Sequence, residues 1–213
     1  MTHAVEIIKT DSTGCPRAFQ NSAIGAHYSR IWTIGKLDIL DKELLGFFCS
    51  VKCPGQLILD TYDLARALRD AEIPVISGFH APIEKDCMDL LLRGKQPLVV
   101  CPARGIERMR IPAAWRKSLD QDRLLVISPF EPKHRRPTIE LTEKRNRFVA
   151  AISNEIFISY ATKGGKLEQF CREQIEKKKK VYTFNNHENN NLTQLGSIGI
   201  SIDDLIDKVS QEK

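Results

Sequence analysis

The sequence predicts an α/β fold in which a mostly parallel β-sheet lies between two layers of helices. Short runs rich in Val, Ile, Leu and Phe recur along the chain, separated by segments with apolar residues at helical spacing. The runs are continuously apolar rather than alternating, as in strands buried on both faces. A length of 213 residues suits one sizeable domain with short appendages and is too short for two enzyme-sized domains.

Taken in order, Phe47-Phe48-Cys49-Ser50-Val51 reads as the first buried strand and Cys53-Pro54-Gly55 as the turn after it. Asp60 to Ala71 reads as a helix with Leu64, Ala65 and Leu68 on one face, and Ile73 to Ser77 as the second strand. Pro82 suits the first turn of a helix that runs towards Arg93 with Cys87, Leu90 and Leu91 apolar. Pro97 to Cys101 and Leu124 to Ser128 are the third and fourth strands. Thr142 to Ile152 is helical, with Phe148, Val149 and Ile152 apolar, and Glu155 to Ser159 is the fifth strand. Leu167 to Lys179 is a helix and Val181 to Phe184 the sixth strand. Asn185 to Asn191 is polar and loop-like, and sets off a tail, Leu192 to Lys213, with one short helix near Ile202 to Val209. The expected organisation is an N-terminal extension with a hairpin-like lead-in over residues 1–46, the sheet domain over 47–184, and a polar linker with a helical tail over 185–213.

Composition narrows the class. With 42% apolar and 28% charged residues, the chain is neither a long disordered segment, nor collagen-like, nor membrane-embedded. A net charge of +5 permits a polyanionic partner without requiring one. Met1 to Thr10 lacks the apolar run of a secretory leader, and the six Cys are scattered as reduced, mostly buried thiols, so a cytoplasmic protein is expected. Cys49 and Cys53 have no second Cys or His pair at zinc spacing, and the five His form no metal-binding pair, so no metal and no cofactor is expected.

Ligands of such sheets bind outside the carboxyl ends of the strands, which directs attention to the loops after Val51, Ser77, Cys101, Ser128 and Ser159. Ser50 and Lys52 follow the first strand, where helix-start amides and a cation hold phosphate, or where a solvated Lys closes a plain turn. No G-x-G-x-x-G or G-x-x-x-x-G-K-[ST] pattern is present, which weighs against dinucleotide and P-loop readings. Ser77-Gly78-Phe79-His80 closes the second strand; Gly78 admits close backbone approach, and His80 with Glu84 offers acid-base groups or ordinary loop and helix-start contacts. Arg145-Asn146-Arg147 opens a helix with cations that bind phosphates and stack on bases, or forms a solvated face. Gly164-Gly165 before a helix makes an anion nest, or a flexible turn. Lys133-His134-Arg135-Arg136, between two prolines, is the basic cluster best placed to touch nucleic acid, whereas Lys177 to Lys180 reads as a helix C-terminus.

These segments, in this order, resemble the Rossmann-like domain of the DNA-processing protein A (DprA/Smf) family over roughly Trp32 to Phe184. Ile34 to Leu40 is similar to the family's Gly-Asp lead-in, and Cys49-Ser50-Val51-Lys52 loosely to its Gly-Ser-Arg turn. Ser77, Gly78, Ile83 and Glu84 match its Ser-Gly-x-Ala-x-Gly-Ile-Asp segment, and Gly94-Lys95 its Gly-Lys step. Arg145-Asn146-Arg147 matches its Arg-Asn-Arg helix start unchanged, and Gly164 to Leu167 is similar to its Ser-Gly-Ser-Leu turn. The resemblance implies a three-layer Rossmann-like fold that binds single-stranded DNA without cleaving bonds, helps load a recombinase, and forms homodimers. The implied contacts are Lys52, Lys95, Arg145 and Arg147 in one crevice, with Phe79 available to stack a base. The chain departs from the family where Lys52 replaces Arg, where Met88 stands near the family's His, and where Tyr160 stands for an acidic residue. It also leaves no room for the family's N-terminal helical domain or winged helix, so a divergent stand-alone member is expected. Two other readings stay open. One is a sensor of a small nucleotide in the same crevice. The other is a nucleotide phosphoribohydrolase of the cytokinin-activating kind, whose Gly-Gly-x-Gly-Thr-x-x-Glu loop is only partly similar to Gly164-Gly165-Lys166-Leu167-Glu168.

Overall fold

The computed structural model describes residues 4–20, 22–25 and 27–211; the outer ends of the N-terminal extension and of the tail, and positions 21 and 26, lie outside the described residues. Antiparallel strands β1 (Glu6–Lys9) and β2 (Arg30–Ile34), with the short helix α1 (Ser22–Gly25) between them, lead into β3 (Leu45–Phe48). The chain then alternates α2 (Gly55–Asp70), β4 (Val75–Ser77), α3 (Pro82–Leu91), β5 (Leu98–Val100), α4 (Ala113–Asp120) and β6 (Leu124–Ser128). It continues through α5 (Ile139–Ile152), β7 (Glu155–Ile158), α6 (Lys166–Glu176), β8 (Val181–Phe184), α7 (Asn190–Leu195), β9 (Ile198–Ile200) and α8 (Ile202–Gln211). The described strands form one nine-stranded sheet in the order β1-β2-β6-β5-β4-β3-β7-β8-β9. Every pairing from β6 to β9 is parallel, and β2 joins β6 antiparallel.

Continuous apolar strands dictate a core on both faces. Leu45, Phe47, Val75, Leu98, Val100, Leu124, Val126 and Phe157 point to one layer, where α2, α3, α4 and α8 cover them. Phe48, Ile76, Val99, Leu125, Ile127, Ile156 and Ile158 point to the other, under α5, α6 and α7. The strand period of two assigns the sides.

Several elements differ from the sequence reading. The first strand starts and ends earlier than expected, because the backbone N–H of Cys49 donates to the buried Glu84 carboxylate (3.0 Å) instead of continuing the ladder, and Val51 is exposed. Helix α2 begins at Gly55, not Asp60, since Leu57 already belongs to its buried stripe with Thr61, Leu64 and Leu68. Helix α5 begins at Ile139, where the Thr138 side chain accepts the Leu141 N–H (3.2 Å) as an N-cap. The asparagine-rich stretch, linker-like in composition, is pinned to the sheet. Asn189 is buried and donates through Nδ2 to the Ser159 carbonyl (2.9 Å), and Asn191 Nδ2 donates to the Ala161 carbonyl (3.0 Å). Beyond it β9 pairs with β8, so the tail adds a strand as well as α8. Among the described residues no helix is long and apolar enough to cross a membrane.

Candidate functional site

The order β4-β3-β7 makes the gap between β3 and β7 the place where the chain reverses direction across the sheet, the usual ligand crevice of such folds. Here it is laced shut. Ser50 N–H donates to the Tyr160 carbonyl (2.9 Å), and its Oγ accepts the Thr162 N–H (3.1 Å). The turn at Gly164-Gly165 is also used internally. Gly164, at φ +72°, donates its N–H to Glu168 Oε2 (2.7 Å), and Gly165 donates to the Thr162 carbonyl (2.9 Å). Glu168 thus fills the expected anion nest itself, and its other oxygen accepts from Asn191.

Glu84 is the organiser of the neighbouring loop. Its buried carboxylate accepts N–H groups from Cys49 (3.0 Å), His80 (2.8 Å) and Ala81 (3.2 Å), tying the end of β3 to the start of α3. Both oxygens are committed, so this side chain positions backbone rather than moving protons. A hydrogen bond to a charged group is worth about 1.5–3 kcal/mol, so Glu84→Gln is expected to lower stability by about 2–4 kcal/mol. An unchanged urea midpoint for that variant would show these contacts to be dispensable.

In the same turn the Cys49 thiol donates to Cys53. That bond pushes Cys49 up, helped by burial, and holds Cys53 below the ordinary thiol range. Cys53 is half-buried, whereas the other five cysteines are buried. Because a lowered pKa keeps thiolate present as pH falls, Cys53 is expected to alkylate first with iodoacetamide and to keep reacting below the pH at which ordinary thiols stop. Mass-spectrometric labelling checks this, and equal labelling of all six would contradict it.

The open space lies beside the crevice, over β4 to β6 and between the N-terminal halves of α5 and α6. A main cleft of about 420 Å³ is lined by His80, Thr138, Asn146, Arg147, Lys166 and Glu173, among others. A smaller one of about 210 Å³ is lined by Gly78, Val100, Arg104, Met109 and Trp115, and shares His80 and Pro137 with the first. Arg147 forms a fork with Glu173 (2.8 and 2.7 Å), which raises the Arg147 pKa and lowers that of Glu173. Lys166 pairs with Glu143 (3.1 Å), so both main-cleft cations carry a carboxylate partner that an anionic ligand must displace.

The loops after β5 and β6 supply unpaired charge, with Arg104 lining the smaller cleft. Among the described residues Arg104, Arg108, Arg110, Arg135 and Arg136 have no ion-pair partner. The two loops that carry them are joined. Gly105 N–H donates to the His134 carbonyl (2.8 Å), and Ser128 Oγ donates to the Arg104 carbonyl (2.7 Å). A Cβ at Gly105 would meet the Glu131 carbonyl oxygen at 2.7 Å, so the suture needs glycine there.

The expected site residues therefore divide. Gly78, Arg145, Asn146 and Arg147 come together. Arg145 is only 3% exposed, and its guanidinium lies on Gly78, where a Cβ would stand 0.6 Å from Nη1. Nη1 donates a long bond to the Cys101 carbonyl (3.4 Å), Nε has no acceptor, and no carboxylate pairs with it among the described residues. Arg145 is thus an internal charge beneath the clefts, not the surface contact expected. Asn146 lines the main cleft, its Oδ1 without a donor. Ser77 is buried and its Oγ accepts the Phe79 N–H (3.3 Å). Phe79 is held at φ +45° with its ring packed in the core at 5% exposure, so it is no stacking platform. Trp115, half-exposed in the first turn of α4, lines the smaller cleft, where Phe79 contributes only its buried ring; in the sequence only its place in the segment after the third strand points to Trp115. Ser50, Gly164 and Gly165 serve the closed crevice. Lys52 is exposed in the loop to α2, across the sheet from α5, and lines neither cleft. Lys95 is a correction: it precedes β5 and so lies at the amino ends of the parallel strands, away from the clefts, because the step into a strand and the exit from one occupy opposite edges of the sheet.

The family model described as DNA recombination-mediator protein A matches residues 7–200. The chain belongs to that family. Its structure is similar to DNA processing protein A (DprA) from Streptococcus pneumoniae, with 17% identity, a TM-score of 0.76, and coverage of 95% of this chain and 74% of that one. It is similar also to DNA processing protein A from Helicobacter pylori, whose structure was described for its single-stranded DNA binding mode, with 15% identity, a TM-score of 0.77, and coverage of 98% and 96%. A molybdenum cofactor binding protein from Rippkaea orientalis shares the fold more loosely, with 10% identity, a TM-score of 0.56, and coverage of 80% of this chain and 97% of that one. At these identities the likenesses establish the three-layer Rossmann-like fold. None of the curated proteins matches the sequence.

Proposed function

We propose that this member of the DNA recombination-mediator family binds single-stranded DNA along the carboxyl edge of β4 to β6 and breaks no bond in it. The observation that carries the reading is a pair of adjoining clefts at the carboxyl ends of β4 to β6, the smaller lined by Arg104, beside the loops after β5 and β6 that carry four further arginines without carboxylate partners. Unpaired arginines release counterions when they meet phosphates, and Trp115 offers a π-face to a base. Family membership and the single-stranded DNA studied with the Helicobacter pylori relative support the same ligand. Handing the strand to a recombinase, pairing with a second copy, and working in the reducing cytoplasm belong to this reading.

The test is binding of a fluorescent oligo-dT of about twenty nucleotides over a salt series, with log affinity expected to fall by about 0.7 per phosphate neutralised for each tenfold rise in salt. Arg135→Ala/Arg136→Ala is expected to lower that slope by about one to one and a half. No binding at low salt would refute the proposal. Salt-insensitive binding of a mononucleotide in its place would establish the small-nucleotide reading.

A further inference from the structure

Beyond the Arg147–Glu173 pair, the groove between α5 and α6 opens into a second recess of about 760 Å³, larger than the main cleft. Arg147 lines both. The recess walls carry Lys144, Lys177, Lys179, Tyr28 and Gln174 together with apolar side chains, and no carboxylate lines it. Lys144 pairs outward with Glu140, and Lys179 donates to the Ser153 carbonyl. Lys177 has no ion-pair partner, and the Tyr28 hydroxyl has no hydrogen bond among the described residues. Gln174 is only 4% exposed, and its Nε2 donors have no acceptor, an uncommon state for a buried amide. His27 completes the polar lining, which is cationic and carries donors without partners, as suits an anion with several acceptor oxygens.

We infer that this recess is a second phosphate-binding segment for the strand that occupies the main cleft, an inference that rests on the single-stranded DNA reading. The two spaces lie end to end along α5, whose 14 residues span about 21 Å, or roughly six phosphates at the ~3.4 Å spacing of a stacked strand. A second copy of the chain fits the recess poorly. A two-fold contact on this face would bring the cationic lining of one copy, Lys144, Lys177 and Lys179, against that of the other.

The test compares fluorescent oligo-dT of about three nucleotides, which fits within the main cleft, and about twenty nucleotides, with the wild type and Lys177→Glu, a change at an exposed position outside the main cleft. For the long probe, affinity is expected to fall about tenfold and the salt slope by about 0.7 for each phosphate no longer neutralised, while the short probe binds within about twofold of wild type. Tyr28→Phe is expected to weaken only the long probe as well, without changing charge. Unchanged long-probe binding in both variants, or equal weakening for both lengths, would overturn the inference and leave the main-cleft reading in place. Disappearance of a wild-type dimer in Lys177→Glu, by light scattering, with oligonucleotide affinity unchanged would assign the recess to a second copy and overturn it too. Failure of the long probe to bind wild type at low salt would instead remove the underlying reading.

Discussion

Arg145→Met is expected to leave the protein as stable as wild type or to raise its stability by about 1–4 kcal/mol, while weakening single-stranded DNA binding about tenfold. The guanidinium is 3% exposed, makes one long hydrogen bond, leaves Nε without an acceptor and has no carboxylate beside it. Burying a charge without a partner costs free energy that an unbranched apolar side chain of similar length does not incur. Under the DNA-binding proposal the same burial gives the charge a use. In a low-dielectric setting under Gly78, the field it projects towards the adjoining clefts is weakly screened by salt, unlike that of the loop arginines. Urea midpoints and oligo-dT affinities measured on the same preparations separate the two effects. A variant that unfolds more readily and binds normally would make Arg145 a structural residue only.

Trp115→Ala is expected to reduce affinity for oligo-dT by about 1–3 kcal/mol, roughly 5- to 150-fold, through removal of one base–aromatic stack. The chain has two tryptophans, and Trp32 is in the core at 5% exposure, so quenching of emission on binding reports Trp115. Trp115→Phe keeps a ring and should retain most of the affinity while abolishing the quench. An abasic oligonucleotide carries the same phosphates without bases, and is expected to bind wild type and Trp115→Ala alike. Wild-type emission that stays constant at saturating oligo-dT would remove stacking from the site.

The parts of this protein legible in the sequence are those that depend on local periodicity. Val75 to Ser77 and Leu124 to Ser128 are apolar on both faces because helices cover both, and composition records that directly. Arg145-Asn146-Arg147 stands out for a similar reason, as a polar run in the middle of an otherwise amphipathic helix. Burial of polar groups leaves no such trace. The run from Asn185 to Asn191 has the composition of a linker, yet Asn189 and Asn191 act as hydrogen-bond donors to carbonyls at the end of β7. An amide side chain that replaces a peptide partner looks no different in sequence from a solvated one.

The fold class, most of the parallel strands and the loops that follow them can be read from the chain alone, because side-chain period is a local property. Which of those loops remain open is settled by tertiary packing. Hydrogen bonds from Ser50 and Gly165, the Gly164 bond to Glu168 and the Glu84 contacts close the crevice between β3 and β7. The same fold carries Arg145 beneath Gly78, leaves Lys95 at the far edge, and brings Trp115 into one cleft with Arg104. These outcomes rest on contacts between residues far apart in the chain, and such contacts follow from packing the two helical layers on the sheet, not from any pattern within one segment.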